Sequence, residues 1–539
     1  MPLTFRGGVR VGANRSARRS PIEICPAPGF VNIPVSQHIG AHAVPVVRIG
    51  DTVDKGQVIA AVPDGAELSC PVHASVSGRV LAIEQGLLPM GVTADIIRIE
   101  NDYADRLHAG VKPADRPIND ISAEEIIEII KQAGVAGLGG AAFPAYAKLR
   151  AAAGKVSALI INGAECEPYL AGNHRLMLER PELIANGVKI LVKALGLKKG
   201  IVAIADNKLN AADAVTAAAG KSKLIDIKIL RSKYPQGDER QLIYAVSGRE
   251  VPAGKLPIDS GYIVFNAATC AAICQAFTEG TPLIDRVVTV DGDCIAKPRN
   301  LRVPLGAPIS GIIEHCGLKR EPAKIIIGGA MTGITAFDIS APIIKSTVAV
   351  LVFSERKIIR RSAACIRCGR CAEACPINLQ PLYLAMFAQK GDMQACEKYD
   401  AMSCTECGCC QYACPANVPI VQAVRTAKGR ISAARIKGQL IAEAKEPGIA
   451  VSAEYKGRAA AAGYAYDEPA SEIVELAEPD GEITELVDEA AKPEEVGEIA
   501  GSETGEPEVA EDEAIEAGRP EEDEAGKLDG EDGTEGKAE

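Results

Sequence analysis

The chain has 539 residues, 47% of them hydrophobic but only 4% aromatic, with no Trp, which fits several packed domains and excludes an aromatic stacking platform for single-stranded nucleic acid. Its formal charge of −12 is unevenly spread: residues 467–539 carry 29 acidic and 4 basic side chains, which leaves 42 acidic and 55 basic for the rest, a body of net +13. A basic body suits anionic cofactors, acidic redox partners or an anionic membrane surface; nucleic acid is a weaker reading because no matching motif accompanies the charge.

In chain order, the opening MPLTFRGGVR has no apolar core of a signal peptide, and residues 1–110 read as short strands cut by turns such as Gly50-Asp51 and Pro63-Asp64-Gly65. The paired segments Pro45–Val62 and Cys70–Glu84 resemble the barrel-sandwich of biotinyl and lipoyl carrier domains. Those carriers need a Lys at the hairpin tip, and the tip here, Ala74 to Gly78, has none, so a structural domain is expected in place of a swinging arm.

Residues 115–280 alternate helix and strand. Ser122 with Glu125 forms a capping box for a helix running to Gln132. Val156–Asn162 and Gly200–Ala205 are short apolar runs of the kind buried in parallel sheets, and Pro181 predicts a break within the helical stretch Leu176–Leu195. The period returns to short strands over 283–352, at Val287–Val290, Leu301–Val303 and Lys324–Ile327. A basic helix is expected over Ile420–Lys445, and the tail over 446–539 is too polar to offset its ordering entropy and is expected to be disordered. No apolar run reaches the roughly 18 residues of a membrane span, so any membrane association would be peripheral.

The 17 cysteines of a chain with no secretion signal read as metal ligands or thiols. Cys365, Cys368, Cys371 and Cys375-Pro376 form one CxxCxxCxxxCP run, and Cys404, Cys407, Cys410 and Cys414-Pro415 form a second. This is the bacterial two-cluster spacing, in which the fourth Cys of each run ligates the other cluster. One [4Fe–4S] cluster is therefore assigned to Cys365, Cys368, Cys371 and Cys414, and a second to Cys404, Cys407, Cys410 and Cys375. Zinc sites pair two CxxC units and do not call for this run repeated with Pro after each. Cys396 and Cys409 fall off the pattern.

Gly137-Leu138-Gly139-Gly140 precedes a helix over Ala145–Ala153, and such a loop lets backbone amides approach an anion. Lys148 can add charge against a phosphate; the plainer alternative is a tight turn. The strand ending at Asn162 runs into Glu165, Cys166 and Glu167, where polar groups at a parallel strand's carboxyl end bind ligands. Asn162 can bond a flavin or amide edge, and Glu165 or Glu167 a ribose hydroxyl; a solvated surface carboxylate is the plainer alternative for each.

These segments together resemble the RnfC family, the nucleotide-binding subunit of the Rnf complex, which is the ion-pumping ferredoxin:NAD oxidoreductase. The resemblance rests on Phe5-Arg6-Gly7-Gly8, Ile33–Gly40, GLGGAAFPAYAKL (Gly137–Leu149), INGAECEPYL (Ile161–Leu170), YPQGDERQLI (Tyr234–Ile243) and both Cys runs, over residues 1–440. The middle domain is also similar to the NADH-binding flavoprotein subunit of respiratory complex I. Its GRGGAGFPTGLK loop is matched at Gly137, Gly139, Gly140, Phe143, Pro144 and Lys148, with Leu138 where the relative has Arg. Its NADESEP motif is matched at Asn162, Glu165, Glu167 and Pro168, with Ala164 where it has Asp. Its paired glutamates fall on Asp238 and Glu239, and an asparagine on Asn266.

The resemblance implies a multidomain α/β plus β chain: a barrel-sandwich hybrid over 1–110, an α/β FMN- and NADH-binding domain over 115–280, a β-grasp ligand-binding domain over 283–352, a two-cluster ferredoxin-like domain over 355–440 and the acidic tail. It further implies FMN and NAD(H) beside the two clusters, the other Rnf subunits as partners with ferredoxin reached indirectly, and a peripheral place on the cytoplasmic face of the cell membrane. Two other readings stay open: a soluble flavo–iron–sulfur protein feeding a cytoplasmic reductase, of the kind associated with proline reductase, and a docking scaffold that holds clusters but no nucleotide.

Overall fold

The computed structural model describes residues 2–12, 16–355 and 362–444, and the acidic tail and Lys445 lie outside them. Strand β1 (Ile22–Ile24) joins a sheet formed more than 250 residues later. The barrel-sandwich domain follows: β2 (Phe30–Pro34), β3 (Val44–Pro45), β4 (Thr52–Val53), β5 (Val58–Ala61), β6 (Val72–His73), β7 (Gly78–Leu87) and β8 (Thr93–Asn101) make two small sheets, ordered β2-β8-β7-β4 and β3-β5-β6. Val31, Ile33, Ile59, Ile97 and Ile99 fill the space between them. The tip Ala74–Gly78 is buried, and the Ser75 hydroxyl donates to the Leu305 carbonyl at 2.5 Å. A carrier arm would have to be free, so this hairpin is an interdomain contact.

The α/β domain begins with α1 (Ala123–Gln132), capped as expected: Ser122 Oγ accepts from the Glu125 amide and the Glu125 carboxylate accepts from the Ser122 amide. There follow α2 (Ala145–Ala152), β9 (Ala158–Gly163), α3 (Gly172–Glu179), α4 (Pro181–Ala194), β10 (Gly200–Ala205), α5 (Leu209–Ala219), β11 (Ile225–Leu230), α6 (Glu239–Ser247), β12 (Tyr262–Asn266) and α7 (Ala267–Thr278). Pro181 opens α4 at its first turn, where its missing N–H has no partner to lose. The four strands are all parallel, ordered β11-β10-β9-β12, with Leu159, Ile161, Val202 and Ile263 buried under the helices. The carboxyl ends of the central β9 and its neighbour β12 deliver Asn162 and Asn266 side by side.

Strands β13 (Asp285–Asp291) and β14 (Arg299–Pro304), helix α8 (Ile309–Cys316), and strands β15 (Lys324–Ile327), β16 (Ile334–Thr335) and β17 (Ala349–Phe353) form the third domain, a six-stranded mixed sheet ordered β1-β14-β13-β17-β15-β16. The cysteine domain is helical: α9 (Arg370–Ala374), α10 (Pro381–Gln389), α11 (Met393–Lys398), α12 (Cys409–Tyr412) and α13 (Ile420–Ala444). Leu384, Val424, Ala427 and Ile431 pack α10 against α13. The N-terminal strand of chain ties the domains together: Leu3 pairs with β11, Val9 with Tyr234, and the Gly8 amide donates to Ala374 of the cysteine domain. Among the described residues, no helix is long and apolar enough to cross a membrane.

Candidate redox site: two thiol sets beside a strand-end cleft

Both Cys runs fold alike because their special backbone positions recur at the same offset. Arg367 and Glu406 have φ near 54°, Gly369 and Gly408 φ 77° and 80°, and Asn378 and Asn417 φ 57° and 52°. The left-handed residue after each second position turns a backbone amide onto a sulfur: Arg367 N donates to Cys365 Sγ at 3.3 Å and Glu406 N to Cys404 Sγ at 3.4 Å. Cys365, Cys368, Cys371 and Cys414 surround one cavity, and Cys404, Cys407, Cys410 and Cys375 surround another. Each set thus draws its fourth thiol from the other run. Among the described residues no group of three or more His, Cys, Asp or Glu side chains is placed to share a single ion. Four thiols spread around a cavity suit a cubane instead, since each of its irons is held by a different thiolate.

The second set is the more enclosed. Burial pushes the Cys404 thiol up to about 11, so loading the site has to displace protons. Cys409, outside the spacing, is buried, and its hydrogen bond holds the Cys407 thiol below the usual range. Lys428 and Arg425 of α13 both pair with Glu406, at 2.7 Å each, and Lys428 also donates to the Cys404 carbonyl. With Arg435 paired to Glu397, three cations of the basic helix are directed at this domain.

A cleft open to solvent lies at the carboxyl ends of β9 and β12. Gly139, Asn162, Glu165, Glu167 and Asn266 line it, and so do Thr405 and Cys407 of the second thiol set. Gly137 and Gly140 belong to the same loop, which Gly140 turns with φ 110°. The Gly139 and Gly140 amides make no hydrogen bond to protein among the described residues, which leaves donors at the cleft for an anionic group. A Cβ on Gly139 would sit 3.4 Å from Asn266, so its bareness keeps cleft space open. Lys148 and Glu239 do not line this cleft: they pair with each other at 2.6 Å, and the Lys148 ammonium stands 5.5 Å from the Phe265 ring centre.

The strand-end polar groups are held rigidly. Asn162 Nδ2 donates to the Gly237 carbonyl at 2.7 Å while its Oδ1 accepts from Ala164 N. Asn266 caps α7 through Ala268 N. Glu165, at φ 39°, sets its carboxylate on the Asn173 and His174 amides at the N-terminus of α3, where the helix dipole favours it. Buried Lys208 donates to the Ala164 and Glu165 carbonyls and pins that strained turn. Glu167 faces the third domain: it accepts from Met331 N and Thr332 Oγ1, and burial raises its pKa.

Sequence reading did not single out Tyr234, Arg286, or the loop Gly329–Thr332, all of which border the cleft. Only Tyr234 carried a local signal, as the first residue of the YPQGDE segment.

Crossed sets of four thiols abutting a glycine-lined cleft on a parallel α/β sheet have the make-up of an iron–sulfur electron-transfer protein with a nucleotide-type domain. Residues 3–104 match the RnfC barrel sandwich hybrid domain, 130–275 the Nuo51 FMN-binding domain, 287–335 the SLBB domain and 364–418 the 4Fe-4S dicluster domain. The RnfC-type subunit of the Na(+)-translocating ferredoxin:NAD(+) oxidoreductase complex of Acetobacterium woodii is 41% identical over 439 residues, covering 81% of this chain and 98% of that protein. Its counterpart in the proton-translocating ferredoxin:NAD(+) oxidoreductase complex of Clostridium ljungdahlii is 43% identical, covering 80% and 95%. The counterpart in the ion-translocating oxidoreductase complex of Rhodobacter capsulatus is 41% identical, covering 80% and 83%. The chain belongs to this family, the RnfC subunits of the ion-translocating oxidoreductase complexes.

Proposed function

We propose that this chain is the subunit of an ion-translocating ferredoxin:NAD oxidoreductase complex that passes electrons between NAD(H), FMN and two [4Fe–4S] clusters. The observation that carries the reading is shared lining: the cleft bearing Gly139 and Asn162 also contains Thr405 and Cys407, so its occupant would stand against the second cluster. FMN supplies the exchange between two-electron hydride chemistry and one-electron cluster chemistry. The chain's own residues bind and orient. Gly139 and Gly140 offer backbone amides to an anionic group, Gly137 closes their loop by donating its amide to the Phe143 carbonyl, and Asn162 and Asn266 present side-chain amides at the strand ends. Glu165 keeps the turn beside them in shape. Lys148 and Glu239 lie outside the cleft lining and pair with each other. Cys365, Cys368, Cys371 and Cys414 hold the outer cluster, and Cys404, Cys407, Cys410 and Cys375 the one facing the cleft.

The third domain is read as a β-grasp unit: β14-β13-β17-β15 has the order of a hairpin flanking a parallel central pair, with α8 between the hairpins. Its contribution at the cleft is the Met331–Thr332 contact with Glu167. The protein works peripherally at the cytoplasmic face of the membrane, held by partner subunits and exchanging electrons with ferredoxin through them. NADH-dependent dye reduction by the purified chain tests the reading; inactive protein with full iron and flavin would refute it.

A further inference from the structure

Arg286, on β13, comes into the cleft from outside the α/β domain. It is 5% exposed. One terminal nitrogen donates to the Lys345 carbonyl and the other to the Leu138 carbonyl at 3.2 Å, while Nε has no hydrogen-bond partner. Among the described residues no carboxylate forms an ion pair with it, and it is the one basic side chain lining the cleft. The three carboxylates that share the cleft are occupied elsewhere. Glu165 holds the α3 amides, Glu167 holds Met331 and Thr332, and Asp238 caps α6. A guanidinium stays protonated at neutral pH, and a buried cation without a counter-charge is costly. The same position sits against Leu138, the loop residue that brings no charge of its own.

We propose that Arg286 is the anion-binding residue of the cleft, taking a phosphate group of the bound nucleotide through the terminal N–H groups that its two carbonyl partners leave free. The proposal rests on the reading of the cleft as the nucleotide site. The phosphate is that of the flavin mononucleotide or the pyrophosphate of the nicotinamide dinucleotide, and the two sources give different results below.

The test uses the full chain with its clusters, stripped of flavin and handled anaerobically, as wild type, Arg286→Met and Arg286→Lys. Dissociation constants are measured for FMN, for riboflavin, which lacks the phosphate, and for NADH. If Arg286 binds the flavin phosphate, Arg286→Met weakens FMN at least tenfold, leaves riboflavin unchanged, and Arg286→Lys recovers part of the loss. If it binds the dinucleotide, both flavins are unchanged and NADH weakens instead. A folded Arg286→Met with all three constants unchanged overturns the proposal. So does parallel loss of FMN and riboflavin, in either variant, which marks a packing role. Wild-type protein that takes up neither FMN nor NADH would refute the nucleotide reading of the cleft, a result distinct from any change on substitution.

Discussion

The phenolic oxygen of Tyr234 lies 2.7 Å from the carbonyl oxygen of Cys407 and 3.3 Å from the Glu167 carboxylate. One fully buried hydroxyl therefore joins a cluster ligand's backbone, the strand-end motif and, through Glu167, the Met331–Thr332 loop. Tyr234→Phe removes the donor and leaves the Cys407 carbonyl unpaired, at a cost of about 1–3 kcal/mol. Thermal unfolding should show that loss with flavin content unchanged, and the electron paramagnetic resonance signal of the second cluster should shift. An unaltered melting temperature would mean that the contact contributes nothing.

Crossed ligation makes a directional prediction. Cys375→Ser should damage the cluster held by Cys404, Cys407 and Cys410 and spare the other, lowering iron from about eight to about four per chain. Damage confined to the Cys365, Cys368 and Cys371 site would show that the runs are not crossed.

Gly139→Val tests the loop. The nearest atom to an added Cβ is 3.4 Å away, so the fold should survive, but the branch projects into cleft space. FMN retention should fall by at least tenfold, or about 1.4 kcal/mol. Flavin content equal to wild type would reduce the loop to a turn.

Acid stability should depend on two histidines at the junction of three domains. Burial, aided by nearby Lys345, holds His38 down at about 4 and His73 at about 3, both below 6.5. The folded state thus binds fewer protons than the unfolded one. The stability from neutral imidazoles is whole above pH 6.5 and is lost as pH falls from there through 4 for His38 and through 3 for His73, about 3 and about 5 kcal/mol in full. Denaturant midpoints measured from pH 7 to pH 4 should fall for wild type and fall less for His73→Gln. Equal slopes would place the acid lability elsewhere.

Local signals carried much of this architecture. The Ser122–Glu125 box, the Pro181 break and the Gly200–Ala205 strand each depend on neighbours a few residues away, and each is found where the sequence placed it. Long-range partners were not legible. Glu167 read as a candidate for a ribose hydroxyl, yet its carboxylate bonds a loop 164 residues later, and β1 joins a strand whose partners follow by 278. Arg286 sits in an unremarkable strand and reaches the cleft only through the docking of one domain on another. Lys148 read as a phosphate ligand from its loop spacing alone, which could not reveal its pairing with Glu239.

The most direct measurement is made on the full chain purified without oxygen, with iron, sulfide and flavin quantified on one sample before NADH is added. The account predicts about eight irons and about one FMN per chain, and reduction of both clusters by NADH seen in electron paramagnetic resonance. Full iron without flavin, or clusters that NADH leaves oxidised, would contradict it.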